Sequence, residues 1–360
     1  MNTETPSPKK YLLILIILVL SGMTLLALTA LYIQPIDGNL TRMGGYSERD
    51  FGWTIPQKSL VNKSANHKTY DKYYDIVVYG DSFSKQELWQ SFLSEKTGFS
   101  FLTLYWDETP IEDVLSNPTF ISNPPKLFIF ETGEGAFQNR FLTLNIACES
   151  KQVTESRFSW NFGFIEKPIE FVEKNRNIDM SLSDINFKFA FLFLKNSLFR
   201  YLFNDDFSEV IRFSLTRNDL FSNNKSEQIL LLRTWFDSKL WNKNYLEKSL
   251  CAVTSLQNSI QSNGSTLFIL LSIPDKSNAY RQYIANYDSH GFKSLAQQLI
   301  ESKVNYPRLD ILVNNSINGG EKDVYLPNDT HFGTRGYELA AKSILDFLKD
   351  IGVENVKLEK

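Results

Sequence analysis

Residues 11–33 form a run of 23 positions without a charge (YLLILIILVLSGMTLLALTALYI), and at about 1.5 Å per residue such a run spans a hydrocarbon core of roughly 30 Å. It predicts a transmembrane helix. Lys9 and Lys10 precede it, while Gln34, Pro35, Ile36 and Asp37 follow, so the positive-inside rule places the N-terminus in the cytoplasm and the remaining chain outside it. The rival reading is a cleaved signal peptide, whose apolar region would be about 7–15 residues long and would end at a small-x-small site. No clean site of that kind follows here. Residues 1–10 are then a cytoplasmic tail, 11–33 the anchor, and 34–70 an irregular lead-in rich in Gly, Asn, Ser and Lys. One piece of the lead-in, residues 38–53 (GNLTRMGGYSERDFGW), is denser in Gly, Arg and aromatics than a spacer requires. It suits a loop packed on the domain or a docking segment near the membrane.

From residue 71 onward, strand-like and helix-like runs alternate, which predicts an α/β domain over 71–360 with a mostly parallel sheet. Five short apolar runs are candidate strands: 75–79 (DIVVY), 101–106 (FLTLYW), 126–131 (KLFIFE), 267–273 (LFILLSI) and 309–313 (LDILV). Helical character marks 85–96 and 336–351. The long interval between the third and fourth strands holds an insertion at about 149–226, Phe-rich and irregular over 158–221. Residues 227–262, with apolar positions at helical spacing, predict one or two long helices.

Composition narrows the function classes. Hydrophobic residues at 42% and charged residues at 22% are ordinary globular values. A net charge of −3 lacks the basic excess that a nucleic-acid surface carries. The 28 Phe residues suit an aromatic core, with a sugar-stacking surface as the alternative. Two cysteines, Cys148 and Cys251, are too few to staple the fold, and their spacing leaves pairing open. The three histidines, His67, His290 and His331, fall in no metal-binding pattern.

The candidate chemistry lies at two distant points. Ser82 follows the first predicted strand at a Gly80-Asp81-Ser82 turn, at the sheet edge where open α/β folds bind ligands. Far downstream, residues 326–341 (LPNDTHFGTRGYELAA) carry Asp329 and His331 just before the last helix. A hydroxyl, an imidazole and a carboxylate are the parts of a serine triad, which is recognised by roles and not by chain position. Asp81 itself reads as a turn or cap residue.

With GDSF at 80–83, a strand before it, a helix after it and the Asp-x-His pair downstream, the chain resembles the SGNH or GDSL hydrolase superfamily over roughly residues 72–350, apart from the insertion. The resemblance implies a flavodoxin-like three-layer α/β/α domain and a triad in which Ser82 is the nucleophile, His331 the base and Asp329 its orienter. It implies no cofactor. The superfamily's oxyanion-hole Asn is missing, since Glu131, Thr132, Gly133 and Glu134 occupy that region. The backbone N–H groups of Ser82 and Gly133 are the substitutes it suggests. Three segments, 326–341, 272–280 (SIPDKSNAY) and 130–137 (FETGEGAF), are similar to those of the alginate O-acetyltransferase AlgJ/AlgX-like family, as is Asp-x-His where most GDSL esterases have Asp-x-x-His. Two departures stand out: that family carries its Asp-His segment before the serine, and Glu134 is followed here by Gly135 where Arg is usual.

What the narrower resemblance implies is a membrane-anchored, periplasmic or extracellular O-acetyltransferase acting on an envelope or exported polysaccharide. A membrane-bound O-acyltransferase would be the acetyl donor. Glu134, Lys276, Tyr280 and Arg335 would be substrate-binding positions, although Lys276 and Tyr280 can equally end a strand and Arg335 can equally start a helix. A carbohydrate acetylesterase with the same triad and a non-catalytic polysaccharide-binding subunit remain alternatives.

Overall fold

The computed structural model describes residues 8–33, 36–60, 69–144, 146, 148, 171–179, 185–203, 208–236, 242–286 and 295–352. The first half contains α1 (Pro8–Tyr32), α2 (Asn39–Gly44), α3 (Glu48–Phe51), β1 (Gln57–Leu60), β2 (Ile76–Gly80), α4 (Leu88–Thr97), β3 (Phe101–Tyr105), α5 (Ile111–Leu115), α6 (Pro118–Ser122), β4 (Leu127–Gly133) and α7 (Phe137–Thr143). There follow β5 (Phe171–Lys174), α8 (Phe187–Phe203), β6 (Val210–Ser214), β7 (Gln228–Leu232), α9 (Arg233–Phe236) and α10 (Lys243–Gln261). The chain closes with β8 (Leu267–Ile273), α11 (Lys276–Ala279), α12 (Leu295–Glu301), α13 (Leu309–Asn318) and α14 (Thr334–Asp350).

A four-stranded sheet in the order β3-β2-β4-β8, parallel throughout, forms the centre of a mixed α/β fold. Its inner strands read as continuous apolar runs because both faces are covered. Alternation sorts their side chains. Ile76, Val78, Leu127, Ile129, Leu267 and Ile269 pack with Trp89 of α4, Leu309 and Val313 of α13, and Ile344 of α14. Val77, Tyr79, Phe128, Phe130, Phe268 and Leu270 pack on the other face with Phe137, Phe141 and the helices α5, α10 and α12. The result is three layers, helix on sheet on helix. Strand order reverses at β2, flanked by β3 on one side and β4 on the other, and such a switch point is where a crevice opens at the carboxyl ends of the strands.

Several expectations are corrected. Residues 309–313, expected as a fifth strand, belong to helix α13, whose buried positions Leu309, Val313, Ser316 and Ile317 repeat at helical spacing. A five-residue apolar run cannot distinguish the two, and the sheet accordingly has four strands among the described residues. The stretch 227–262 is not purely helical: Gln228–Leu232 pairs antiparallel with Val210–Ser214 as a separate ribbon. Only from Lys243, capped by the Asn242 carboxamide, does the long helix run. The insertion contains β5, α8 and β6, so part of it, expected to be irregular, is regular. The lead-in is structured as well, with α2, α3 and β1, and β1 pairs with β5 of the insertion. His67 and His290 lie outside the described residues.

Helix α1, 25 residues long, is long and apolar enough to cross a membrane. Its last turn packs through Ala30 and Ile33 against Phe189 and Ala190 of α8. Cys148 and Cys251 are joined by a disulfide with their Cα atoms 5.5 Å apart.

Candidate active site

Gly80 ends β2 and is obligatory there. A Cβ on it would lie 2.4 Å from the Ser84 hydroxyl oxygen and 2.7 Å from Glu131 Oε2. The chain therefore turns tightly, with Ser84 N–H donating to Asp81 O (3.0 Å) and Lys85 N–H to Ser82 O (3.3 Å), and leaves Ser82 exposed at the strand end. Two carboxylates brace this turn. Asp81 accepts from Phe83 N–H (3.0 Å), the role expected of a turn residue. Glu131, at the end of β4, accepts from Asp81 N–H (3.0 Å) and the Ser84 hydroxyl (2.7 Å).

The segment between α13 and α14 brings the other two groups. His331 Nδ1 lies 2.6 Å from Asp329 Oδ1, and His331 Nε2 lies 2.8 Å from Ser82 Oγ. A carboxylate only accepts, so Nδ1 carries the proton and Nε2 is free to accept from the Ser82 hydroxyl. The three residues expected as a triad thus form one hydrogen-bonded chain. Burial pushes the Asp329 carboxyl up, but the imidazole bonded to it and the Asn39 and His331 N–H groups outweigh this and hold it below the ordinary carboxylate value. Phe83 packs against the imidazole at 4.8 Å between ring centres and limits where the ring can swing.

Asn39, from the lead-in, is the contributor that sequence reading missed. Its N–H donates to Asp329 Oδ2 (2.9 Å), its carboxamide donates to Thr330 Oγ1 (2.7 Å), and its Oδ1 accepts from Thr330 N–H (3.0 Å). Gly38 and Asp37 N–H groups donate to buried Glu48 (2.8 and 3.1 Å), which also accepts from Asn328 (2.8 Å). The lead-in therefore packs on the domain. The density of Gly, Arg and aromatics in 38–53 is its only sequence signal.

The other named residues take different places. Lys276 is buried, and its ammonium donates to the carbonyls of Leu326 (2.8 Å), Pro327 (3.0 Å) and Asp329 (3.1 Å). It supports the Asp329 segment and lines no groove. Burial pulls its pKa down to about 7 against the opposing charges of Asp329 and Asp323. Tyr280 is fully buried, its hydroxyl accepting from Tyr325 N–H (3.4 Å). Buried Glu134 accepts from Asn278 (2.6 Å) and from Leu295 N–H (3.0 Å). Arg335 is ion-paired with Glu321 and with Glu338 (3.1 Å).

The second oxyanion donor is also corrected. Gly133 N–H donates to Asp81 Oδ2 (3.3 Å), which also takes Arg140 (3.0 Å). Ser82 N–H donates to no group among the described residues, so it alone of the two is available. A cleft of about 840 Å³ opens beside His331 and Asp329. Its walls include Trp53, Gln57 and Lys58 from the lead-in, Lys174 from the insertion, and Lys85 and Tyr105 from the core domain. Comparison of the chain with protein-family models, with curated proteins and with solved structures found no match.

Proposed function

We propose that this chain is a membrane-anchored O-acetyltransferase of SGNH type, facing away from the cytoplasm, that acetylates a cell-envelope or exported polysaccharide through an acetyl-Ser82 intermediate. The observation that carries the proposal is the continuous chain Ser82 Oγ–His331–Asp329, at 2.8 and 2.6 Å, at the switch point of a parallel sheet. Strand order and the helical layers suit the flavodoxin-like SGNH fold. The Cys148–Cys251 disulfide suits an oxidising compartment outside the cytoplasm. Asn39, bonded to Asp329, lies seven residues beyond Tyr32, so it sits within about 25 Å of the end of α1 by chain length alone. That suits a donor delivered by a membrane-bound O-acyltransferase.

In the proposed cycle, Ser82 Oγ attacks the acetyl carbonyl while its proton passes to His331 Nε2. Asp329 stabilises the resulting imidazolium, and Ser82 N–H faces the developing oxyanion. Collapse expels the donor's leaving group with that proton and leaves acetyl-Ser82. A sugar hydroxyl in the cleft then gives its proton to His331, attacks the acetyl carbon, and releases Ser82 Oγ, which is reprotonated. Water in place of the sugar makes the same residues an acetylesterase. The occupied Gly133 N–H favours a second reading, a polysaccharide-binding subunit without turnover, because an oxyanion hole with one donor loses a large share of its effect.

One experiment separates these. The full chain in lipid nanodiscs is incubated with an activated acetyl ester, and intact mass and chromophore release are followed with and without oligosaccharide acceptors. One added acetyl group, absent in Ser82→Ala and His331→Ala, is the expected result, with turnover that depends on acceptor. Turnover indifferent to acceptor would make it an esterase. A folded protein that neither gains an acetyl group nor releases chromophore would sink both enzymatic readings.

A further inference from the structure

Helix α8 packs on the protein with one side and turns an apolar stripe outward on the other. Phe189, Phe193, Asn196 and Arg200, at spacings of four, three and four, form the inward stripe. Phe189 packs with Ala30 and Ile33 of α1, while Asn196 and Arg200 donate to the Gly44 carbonyl at 2.9 and 3.2 Å. The opposite stripe is Phe187, Phe191, Leu198, Tyr201 and Leu202, exposed by 54%, 60%, 56%, 86% and 59%. Offsets of 4, 11, 14 and 15 residues place them on one face of a helix with 3.6 residues per turn. Lys188 and Lys195 are exposed beside that face. The apolar stripe of an amphipathic helix is ordinarily covered, and a row of large side chains this long is more than scattered surface exposure.

The neighbour of α8 identifies what covers it. Residues 11–20 of α1 are exposed over their whole length, the apolar surface that a bilayer-spanning helix turns to lipid. Its last turn ends on α8, so α8 begins at the level where the hydrocarbon gives way to headgroups. Amphipathic helices with aromatic and leucine residues on one face and lysines beside them lie in that plane. We infer that α8 is an interfacial membrane helix whose Phe187–Leu202 face is immersed in the outer leaflet. It would fix the domain's height and tilt over the bilayer. The inference rests on the anchoring of α1, not on the chemistry of Ser82.

The native cysteines are joined to each other, so an introduced cysteine is a unique thiol. Phe191→Cys and Leu198→Cys in the full chain, each carrying an environment-sensitive fluorophore, are reconstituted into nanodiscs of zwitterionic and anionic phospholipid alone. Val19→Cys in α1 and Ser262→Cys, in the loop before β8 at the opposite edge of the sheet, serve as references, with circular dichroism confirming an unchanged fold. The expected result is a blue shift and quenching by shallow acyl-chain nitroxides at 191 and 198, deep quenching at 19, and quenching only by aqueous iodide at 262. Iodide access at 191 and 198 equal to that at 262, with 19 in lipid, would overturn the inference. Protection of 191 and 198 in native membranes but not in lipid-only discs would assign the face to a membrane protein instead. A water-exposed Val19 label would overturn the anchoring as well, whatever the outcome of the Ser82 acetylation experiment.

Discussion

Lys276 shows how a single residue can matter to the site without reaching the substrate. An ammonium has three donors and no acceptor, and here three carbonyls of the segment bearing Asp329 receive them. Lys276→Met removes the donors and strips that partner from the buried Pro327 carbonyl and the half-buried Asp329 carbonyl, each costing about 1–3 kcal/mol if unsatisfied, while Leu326 O keeps the Asp329 N–H. The expected outcome is a lower melting temperature and a rate of Ser82 acylation reduced about tenfold or more, with KM for the acetyl donor little changed. Stopped-flow acylation and calorimetry on the same preparation test this, and an unchanged rate would remove Lys276 from the positioning role. Asp329→Asn should act more severely. The imidazole would be held in the wrong tautomer, and acylation should fall by up to about 10⁴-fold while the fold persists, read as the loss of acetyl-Ser82 in the mass spectrum. The sequence exposed Ser82, Asp329 and His331 because the Gly-Asp-Ser turn and the Asp-x-His pair are local patterns. Lys276, Asn39 and Glu131 act through contacts that span 47 to 290 residues, and no local pattern encodes such distances.

At the scale of elements, the same contrast separates what was legible from what was not. Strands β2, β3, β4 and β8 could be read because burial on both faces makes them continuous apolar runs bounded by Gly, Pro or polar residues. Helix α14 could be read because its apolar stripe is long. The short run 309–313 could not be assigned, and β7 was absorbed into the helical pattern beside it. The lead-in was hidden for a different reason: α2 and α3 are too short for periodicity, and their structure comes from buried Glu48 and from the 326–331 segment. Gly38 is the joint between the two. A Cβ there would lie 2.0 Å from the backbone oxygen of Asn328, a clash with main chain that no rotamer change relieves. Gly38→Ala is therefore expected to lift α2 from Asp329, slowing acylation and lowering the melting temperature although no triad atom is altered. Acylation kinetics together with hydrogen exchange at Asn39 and Leu40 test it. Faster exchange at Asn39 and Leu40 with a wild-type acylation rate would show that α2 does not support the triad.

At the scale of the whole molecule, stability should carry an unusual pH dependence. Glu48, Glu131, Asp275 and Asp323 all have carboxyls raised above their ordinary values, each chiefly by burial. For Glu131 the nearby Asp81 charge adds to the effect, and for Asp275 the Glu134 charge does. A carboxyl raised on folding holds its proton longer in the folded chain than in the unfolded one. Its stabilising contribution is complete below the unfolded value near 4 and is lost as pH rises through the folded value. Asp329 and Asp75 are lowered instead, so their contribution is present above the unfolded value and is lost as pH falls through the folded one. Glu321 and Asp219, both ion-paired with arginines, are lowered as well, but above pH 5 the lowered carboxyls are ionised folded or unfolded, so the melting temperature of the full chain in nanodiscs should increase as pH falls from neutral toward 5 and decline again below 4. Glu131 offers the clearest test, because its Oε1 is buried without a partner and is more easily accommodated as a neutral acid than as an anion. Glu131→Gln keeps the shape and the oxygen that accepts from Asp81 and Ser84 but cannot ionise. It should flatten the rise between pH 7 and 5 while leaving the acid decline in place. A variant whose melting curve still parallels the wild type across that range would show that Glu131 is already ionised in the folded protein, and that the turn under Ser82 rests on a buried charge.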